Sequence, residues 1–350
     1  MGDTDDRVSR RALITRAGLG LGAFAAAPAF APSPRVARAA APPLMQPERP
    51  LWSAEYWAKK GTVSLSLFRK RMAAPSSGEP SRPVLFLVHG SSVSARPSFD
   101  LSVPGAGEYS LMNVFARWGY DVWTMDHEGY GRSSRTDGNA DIASGVEDLK
   151  AATDVVSRET QRARFHFYGG SSGALRAGAF AMARPDRVDR LILEAFTYTG
   201  RGSSTLDKRR EGLEFFRAHN RRPRGRDMIR SIFTRDKPGT SDPAVAEALA
   251  DAELAFGDTI PTGTYLDMTA NLPIVDPARV HAPVLLVRGE HDGIATEDDL
   301  LEFYRRLPTA DRQFVVLAGA SHAVALGYTR NQLWHVMRAF LEMPGRATRS

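Results

Sequence analysis

Short apolar runs recur along this chain, each followed by a stretch with helical periodicity, and no other sequence feature limits the possible folds as much. The runs are Thr62–Phe68, Val84–Val88, Asp121–Met125, Arg164–Tyr168, Val188–Leu193, Val284–Val287 and Gln313–Leu317. Several lack any polar alternation, as strands buried on both faces require. Helices are predicted near Tyr109–Trp118, Ile142–Glu159, Ser172–Ala183, Glu297–Leu307 and Asn331–Leu341. The alternation predicts an α/β fold in which a mostly parallel sheet is flanked by helices.

One interval breaks the rhythm. Between Leu193 and Val284 the chain has no convincing buried strand, only helical stretches such as Arg210–His219, Met228–Phe233 and Ala244–Phe256. So long a loop without structure does not suit a compact domain, so an inserted helical cap is predicted. The expected organisation is an export segment over 1–39, a core over 40–196 and 279–350, and a cap over 197–278. Pro42, Pro43, Pro47 and Pro50 mark an irregular lead-in.

Gly169-Gly170-Ser171-Ser172-Gly173 joins the run Arg164–Tyr168 to a helix rich in small residues. This is G-x-S-x-G between strand and helix, where glycines two before and two after leave room for a serine on a strained turn. Ser171 is therefore the candidate nucleophile; in the frame of Ser172 one glycine is lost, and Ser172 is instead a candidate oxyanion donor through its backbone N–H. In such enzymes the acid and the base follow the serine in chain order. Asp292 follows the run Val284–Val287, and His322 lies in a loop of small residues after Gln313–Leu317. Both would stand beyond the carboxyl ends of parallel strands, where open α/β sheets place ligands. A serine hydroxyl needs a base to take its proton, which assigns His322, and an acid to orient that base, which assigns Asp292. Glu194, at the end of another run, is the alternative acid.

Three further turns carry a resemblance. Val84–Val88 runs into His89-Gly90-Ser91-Ser92, Asp126-His127-Glu128-Gly129-Tyr130-Gly131-Arg132-Ser133 fits D-x-x-G-x-G-x-S, and Gly289-Glu290-His291-Asp292 fits G-x-x-D. Together with the serine turn these resemble the α/β-hydrolase superfamily over about residues 60 to 342, in the manner of capped, esterase-like and lipase-like serine hydrolases. The resemblance implies that Ser91 supplies the second oxyanion N–H. It also disfavours epoxide hydrolases and haloalkane dehalogenases, which need Asp at the place of Ser171. His89 and His127 are expected to pack their turns.

Composition narrows the choice further. With no cysteine, thiol catalysis and disulfides are excluded, and the eight dispersed histidines form no metal-ligand spacing, so no cofactor is expected. Six Arg and three acids in residues 1–39 account for half of the net charge of +6, so no nucleic-acid partner is expected. In the cap, Lys208, Arg209, Arg210, Arg217, Arg221, Arg222, Arg224 and Arg226 are interleaved with Glu211, Glu214 and Asp227. This favours a solvated, salt-bridged face over a carboxylate or phosphate site. Leu213, Phe215, Phe216, Ile232, Phe233, Phe256, Tyr265 and Met268 are read as cap core, with pocket lining as the alternative.

Ser9-Arg10-Arg11-Ala12-Leu13-Ile14 resembles the twin-arginine export motif. The Ala/Gly-rich stretch Ala17–Ala27 is too short for a permanent membrane span, and Ala37-Arg38-Ala39 suits signal cleavage before Ala40. The twin-arginine translocase is thus an expected partner, and a periplasmic or secreted protein the expected product. The expected activity is a serine hydrolase that cleaves a small carboxylic ester or related acyl substrate through an acyl-enzyme. A C–C bond hydrolase or lactonase on the same scaffold is the alternative, and a non-catalytic ligand-binding module is a third reading.

Overall fold

The computed structural model describes residues 50–344. The expected export segment with Arg10 and Arg11 lies outside the described residues.

Ten strands form: β1 (Trp52–Lys60), β2 (Val63–Arg71), β3 (Val84–Val88), β4 (Asp121–Met125), β5 (Phe165–Gly170), β6 (Val188–Glu194), β7 (Arg221–Pro223), β8 (Thr259–Pro261), β9 (Val284–Gly289) and β10 (Arg312–Leu317). Eight of them make one sheet in the order β1-β2-β4-β3-β5-β6-β9-β10. From β4 to β10 the pairs are parallel, while β1–β2 and β2–β4 are antiparallel. This is an α/β-hydrolase fold. β1 lies between the irregular lead-in expected over 40–50 and the strand expected from Thr62, where no strand was predicted. Its burial alternates along WSAEYWAKK, as in an edge strand with one face to solvent, so it lacks the continuous apolar run that marked the others.

Side chains of one strand feed two cores, because successive residues point to opposite faces. In β3, Val84, Phe86 and Val88 enter one cluster, whereas Leu85 and Leu87 enter the other. The helices in chain order are α1 (Ala95–Phe99), α2 (Leu111–Arg117), α3 (Ile142–Thr160), α4 (Ser172–Ala183), α5 (Ser204–Arg210), α6 (Leu213–Ala218), α7 (Arg226–Thr234), α8 (Pro243–Leu254), α9 (Gly263–Ala270), α10 (Glu297–Arg306) and α11 (Arg330–Leu341). α3, α4 and α10 cover the first face; α2 and α11 cover the second. None of the described helices is long and apolar enough to cross a membrane.

Between β6 and β9 run α5 to α9 and the small antiparallel pair β7–β8, which the apolar pattern did not reveal because each strand has three residues. The segment is tied to the sheet by a buried ion pair. Arg224 bonds the Glu253 carboxylate, whose other oxygen accepts from the backbone N–H (2.5 Å) and hydroxyl (2.8 Å) of Ser94, in the loop after β3.

Candidate active site

β3 has β4 on one side and β5 on the other, so the chain reverses its direction of travel across the sheet there. At such a switch point a crevice opens beyond the carboxyl ends of the strands. The loop Gly90–Ser91 leaves β3 on one side of it, and Ser171 leaves β5 on the other.

Ser171 sits between β5 and α4 with φ 56° and ψ −125°, a conformation that non-glycine residues rarely adopt. The turn is tight enough that glycine is mandatory on both sides. A Cβ at Gly169 would lie 2.4 Å from the Gly173 carbonyl oxygen, and one at Gly173 would lie 2.1 Å from that of Val88. The backbone of Ser171 is pinned by donating its N–H to the Glu194 carbonyl at 2.9 Å.

The structure brings Ser171, His322 and Asp292 together. His322 Nε2 lies 2.9 Å from Ser171 Oγ, and its Nδ1 lies 2.9 Å from Asp292 Oδ1. Asp292 Oδ1 also accepts from the N–H groups of Ile294 (2.8 Å) and Ala295 (3.1 Å). Burial would raise the Asp292 carboxyl, but His322 and these two amides outweigh it and hold the group below the ordinary range. An ionised acid, an oriented imidazole and a hydroxyl therefore stand in series.

Ser91 and Ser172, the expected oxyanion donors, are both buried, with their hydroxyl oxygens 2.6 Å apart. Glu194, the alternative acid, is also buried here, but it makes no hydrogen bond to the imidazole; its Oε2 accepts from the Tyr168 hydroxyl at 3.3 Å and its Oε1 has no partner. Burial, and then the charge of Asp292, push the Glu194 carboxyl well above its usual range. The site thus shifts two nearby carboxyls in opposite directions, Asp292 down and Glu194 up.

His89 and His127 pack their turns. His89 Nε2 accepts from the His127 N–H at 3.1 Å, and His127 Nδ1 lies 3.0 Å from Asp148; burial drives both imidazoles well below the ordinary range. The D-x-x-G-x-G-x-S turn is held by Asp126, which accepts from the N–H groups of Ala95 and Arg132 at 2.8 and 2.9 Å. A Cβ at Gly131 would meet that carboxylate at 2.2 Å.

A cavity of about 110 Å³ opens over Ser171 and His322. At roughly 10–15 Å³ per water-sized sphere, that suits a small molecule and not a polymer. Its apolar wall includes Phe99, Ile232, Phe233, Leu249, Val324 and Leu326. Of the apolar cap residues named above, only Ile232 and Phe233 line it; Phe216 and Tyr265 pack with Tyr130 and Ile260, and Met268 joins the sheet core.

Three charged residues at the site, Asp236, Arg209 and Arg235, were not singled out by sequence. Asp236, in the turn after α7, brings a carboxylate oxygen within 4.8 Å of ligating atoms of both Asp292 and His322. Asp292 Oδ1 and His322 Nδ1 are engaged with each other, so the trio surrounds the imidazole with negative charge and does not form a ready metal cage. Arg209, from the basic stretch, lines the cavity. The expectation of a solvated basic face holds for Arg210, Arg217 and Arg226, each paired with a carboxylate at the surface. It fails for Arg209, which α5 turns toward the cavity, and for Arg224, which lies in the link between β7 and α7 and pairs with buried Glu253.

Comparison with known proteins places the chain among relatives. Residues 103–326, more than half of the chain, match the model of the family described as serine aminopeptidase, S33. The 2-hydroxy-6-oxononadienedioate/2-hydroxy-6-oxononatrienedioate hydrolase of Paraburkholderia phymatum is 29% identical over 66% of this chain and 78% of its own length. The enzyme of the same description from Burkholderia vietnamiensis is 27% identical over 65% of this chain and 77% of its own. Among solved structures, E-2-(acetamidomethylene)succinate hydrolase superposes with a TM-score of 0.61 at 18% identity, covering 83% of this chain and all of that one, a likeness of fold. The chain is a hydrolase of α/β-hydrolase type.

Proposed function

Since the chain belongs to the serine aminopeptidase S33 family, we propose that it is a serine hydrolase of small molecules that cleaves a carbon–carbon bond next to a ketone. The observation that carries the hydrolytic reading is the unbroken hydrogen-bond series Ser171–His322–Asp292 at the floor of one small cavity. The bond type is supported by the two relatives that hydrolyse 2-hydroxy-6-oxo dienedioates, which favour the C–C alternative over the small ester first expected from the sequence.

In this reading His322 Nε2 takes the Ser171 proton as Oγ attacks the ketone carbon, and Asp292 stabilises the imidazolium that results. The oxyanion forms against the N–H groups of Ser91 and Ser172. Collapse breaks the C–C bond; its electron pair leaves on a carbon conjugated to a second carbonyl, and His322 returns the proton to that carbon. Water, deprotonated by His322, then releases the acyl group from Ser171 as a carboxylic acid. Export by the twin-arginine route is part of the same proposal, resting on Arg10-Arg11 and the Ala/Gly-rich stretch after them.

An ester or lactone passes through the same tetrahedral intermediate with a better leaving group, so side activity on short aryl esters is compatible with the site. The deciding experiment compares kcat/KM for a vinylogous 1,5-diketone bearing a 2-hydroxy-dienoate with that for p-nitrophenyl butyrate and a simple lactone. Preference for the diketone supports C–C hydrolysis. Turnover of the ester or lactone with none of the diketone returns the enzyme to the acyl-ester reading.

A further inference from the structure

Two guanidinium groups, Arg209 and Arg235, and one carboxyl, Glu194, line the cavity over Ser171. The Glu194 carboxyl bonds only the Tyr168 hydroxyl and pairs with neither guanidinium. Arg235 has a counterion, with Nε 3.5 Å from Asp236 Oδ1. Arg209 has none. Among the described residues its guanidinium makes no hydrogen bond and no ion pair; it rests on the face of Tyr265, 5.3 Å from the ring centroid. Other arginines of the same segment, Arg210, Arg217, Arg226 and Arg230, each hold a carboxylate.

Arg209 is half-buried, and a cation partly withdrawn from water without a partner is costly to a fold unless something else compensates it. Burial first, and then the charge of Arg235, push the Arg209 guanidinium down to about 10, yet it stays protonated at neutral pH. The group is also held in place. Tyr265, on which it rests, bonds Ser92 Oγ through its hydroxyl at 2.8 Å, fixing α9 to the loop that carries Ser91. A planar fork of donors at one side of a cavity with an apolar wall matches a carboxylate in two parallel hydrogen bonds.

We propose that Arg209 is the carboxylate-binding group of this cavity, so that the substrate is an anion whose carboxylate pairs with Arg209 while its reacting carbonyl lies at Ser171. The proposal rests on the cavity being the substrate site, as the proposed function has it. It further specifies that substrate: a carbon chain against Phe233 and Leu326, with a negative charge at the end remote from the bond that breaks.

Occupancy of the cavity can be read without any cleavage, from the rate at which a fluorophosphonate labels Ser171. Succinate, glutarate, adipate and suberate, with their dimethyl esters, serve as competing ligands on the full chain. At least one of the dicarboxylates is expected to protect the wild type, and Arg209→Gln to raise the concentration for half-protection by about ten- to a hundredfold, the worth of one charge-assisted hydrogen-bonded contact. Protection by the dimethyl esters should change by less than about twofold, and Arg209→Lys, which keeps the charge but not the fork, should fall between. The proposal is overturned if no dicarboxylate protects the wild type, if Arg209→Gln leaves that protection unchanged, or if it weakens acids and esters alike, as a packing defect would. Failure of the C–C reading gives a different result: dicarboxylate protection intact, with no cleavage of the diketone.

Discussion

Asp292 Oδ1 lies 2.9 Å from His322 Nδ1, while Glu194, the other buried carboxyl at this site, makes no hydrogen bond to that imidazole. The two acids should therefore differ sharply in their effect on rate. Asp292→Asn should lower kcat by about 10⁴-fold, since the amide cannot hold the imidazole in its working tautomer. Glu194→Gln should cost far less. Steady-state kinetics of the two variants checks the assignment, and a larger loss for Glu194→Gln would move the acid to β6.

Glu194 should instead govern stability against pH. Its folded-state carboxyl titrates well above the ordinary value of 4.5, so between that value and the raised one the native state keeps a proton that the unfolded chain releases. The wild type consequently loses stability as pH rises through that window, by up to about 1.4 kcal/mol per pH unit. Gln carries no charge at any pH. The Tm advantage of Glu194→Gln over the wild type should grow as pH rises above about 5; a difference that does not vary with pH would show that the group is not buried as an acid.

The Arg224–Glu253 pair joins the segment between β6 and β9 to the loop that follows Ser91, and both side chains are almost fully buried. Arg224→Met leaves the Glu253 carboxylate without its cation, at a cost of about 3–5 kcal/mol in urea unfolding. Arg224→Met combined with Glu253→Leu should recover much of that loss, because replacing both partners removes the orphaned charge. A single-variant loss below about 1 kcal/mol would mean that the pair is solvated.

The alternation of buried runs and helices made the α/β-hydrolase sheet legible, because strands covered on both faces need continuous apolar residues. The positions of Ser171, Asp292 and His322 were legible from turn chemistry, since a strained serine turn between strand and helix tolerates few sequences. β1 was not, because an edge strand buries only alternate residues. Arg209 was hidden among Lys208 and Arg210, and charge alone does not tell which of three neighbouring cations faces inward. Its signal was positional: three residues after buried Leu206, it shares that residue's face of α5. Asp236 belongs to no motif, and only the packing of the turn after α7 brings it to the imidazole.

The central claim is that Ser171 forms the covalent intermediate with His322 as its base, and it is tested most directly by kcat of Ser171→Ala against the wild type on the best substrate. Ser172→Ala serves as a control, and circular dichroism shows that each variant is folded. The hydroxyl of Ser171 contributes little to packing, so the variant should fold normally and lose roughly 10³-fold or more in kcat, whereas Ser172→Ala, which keeps its backbone N–H, should retain most of its activity. Near-normal turnover by Ser171→Ala, with Ser172→Ala inactive, would contradict the account and move the nucleophile by one residue.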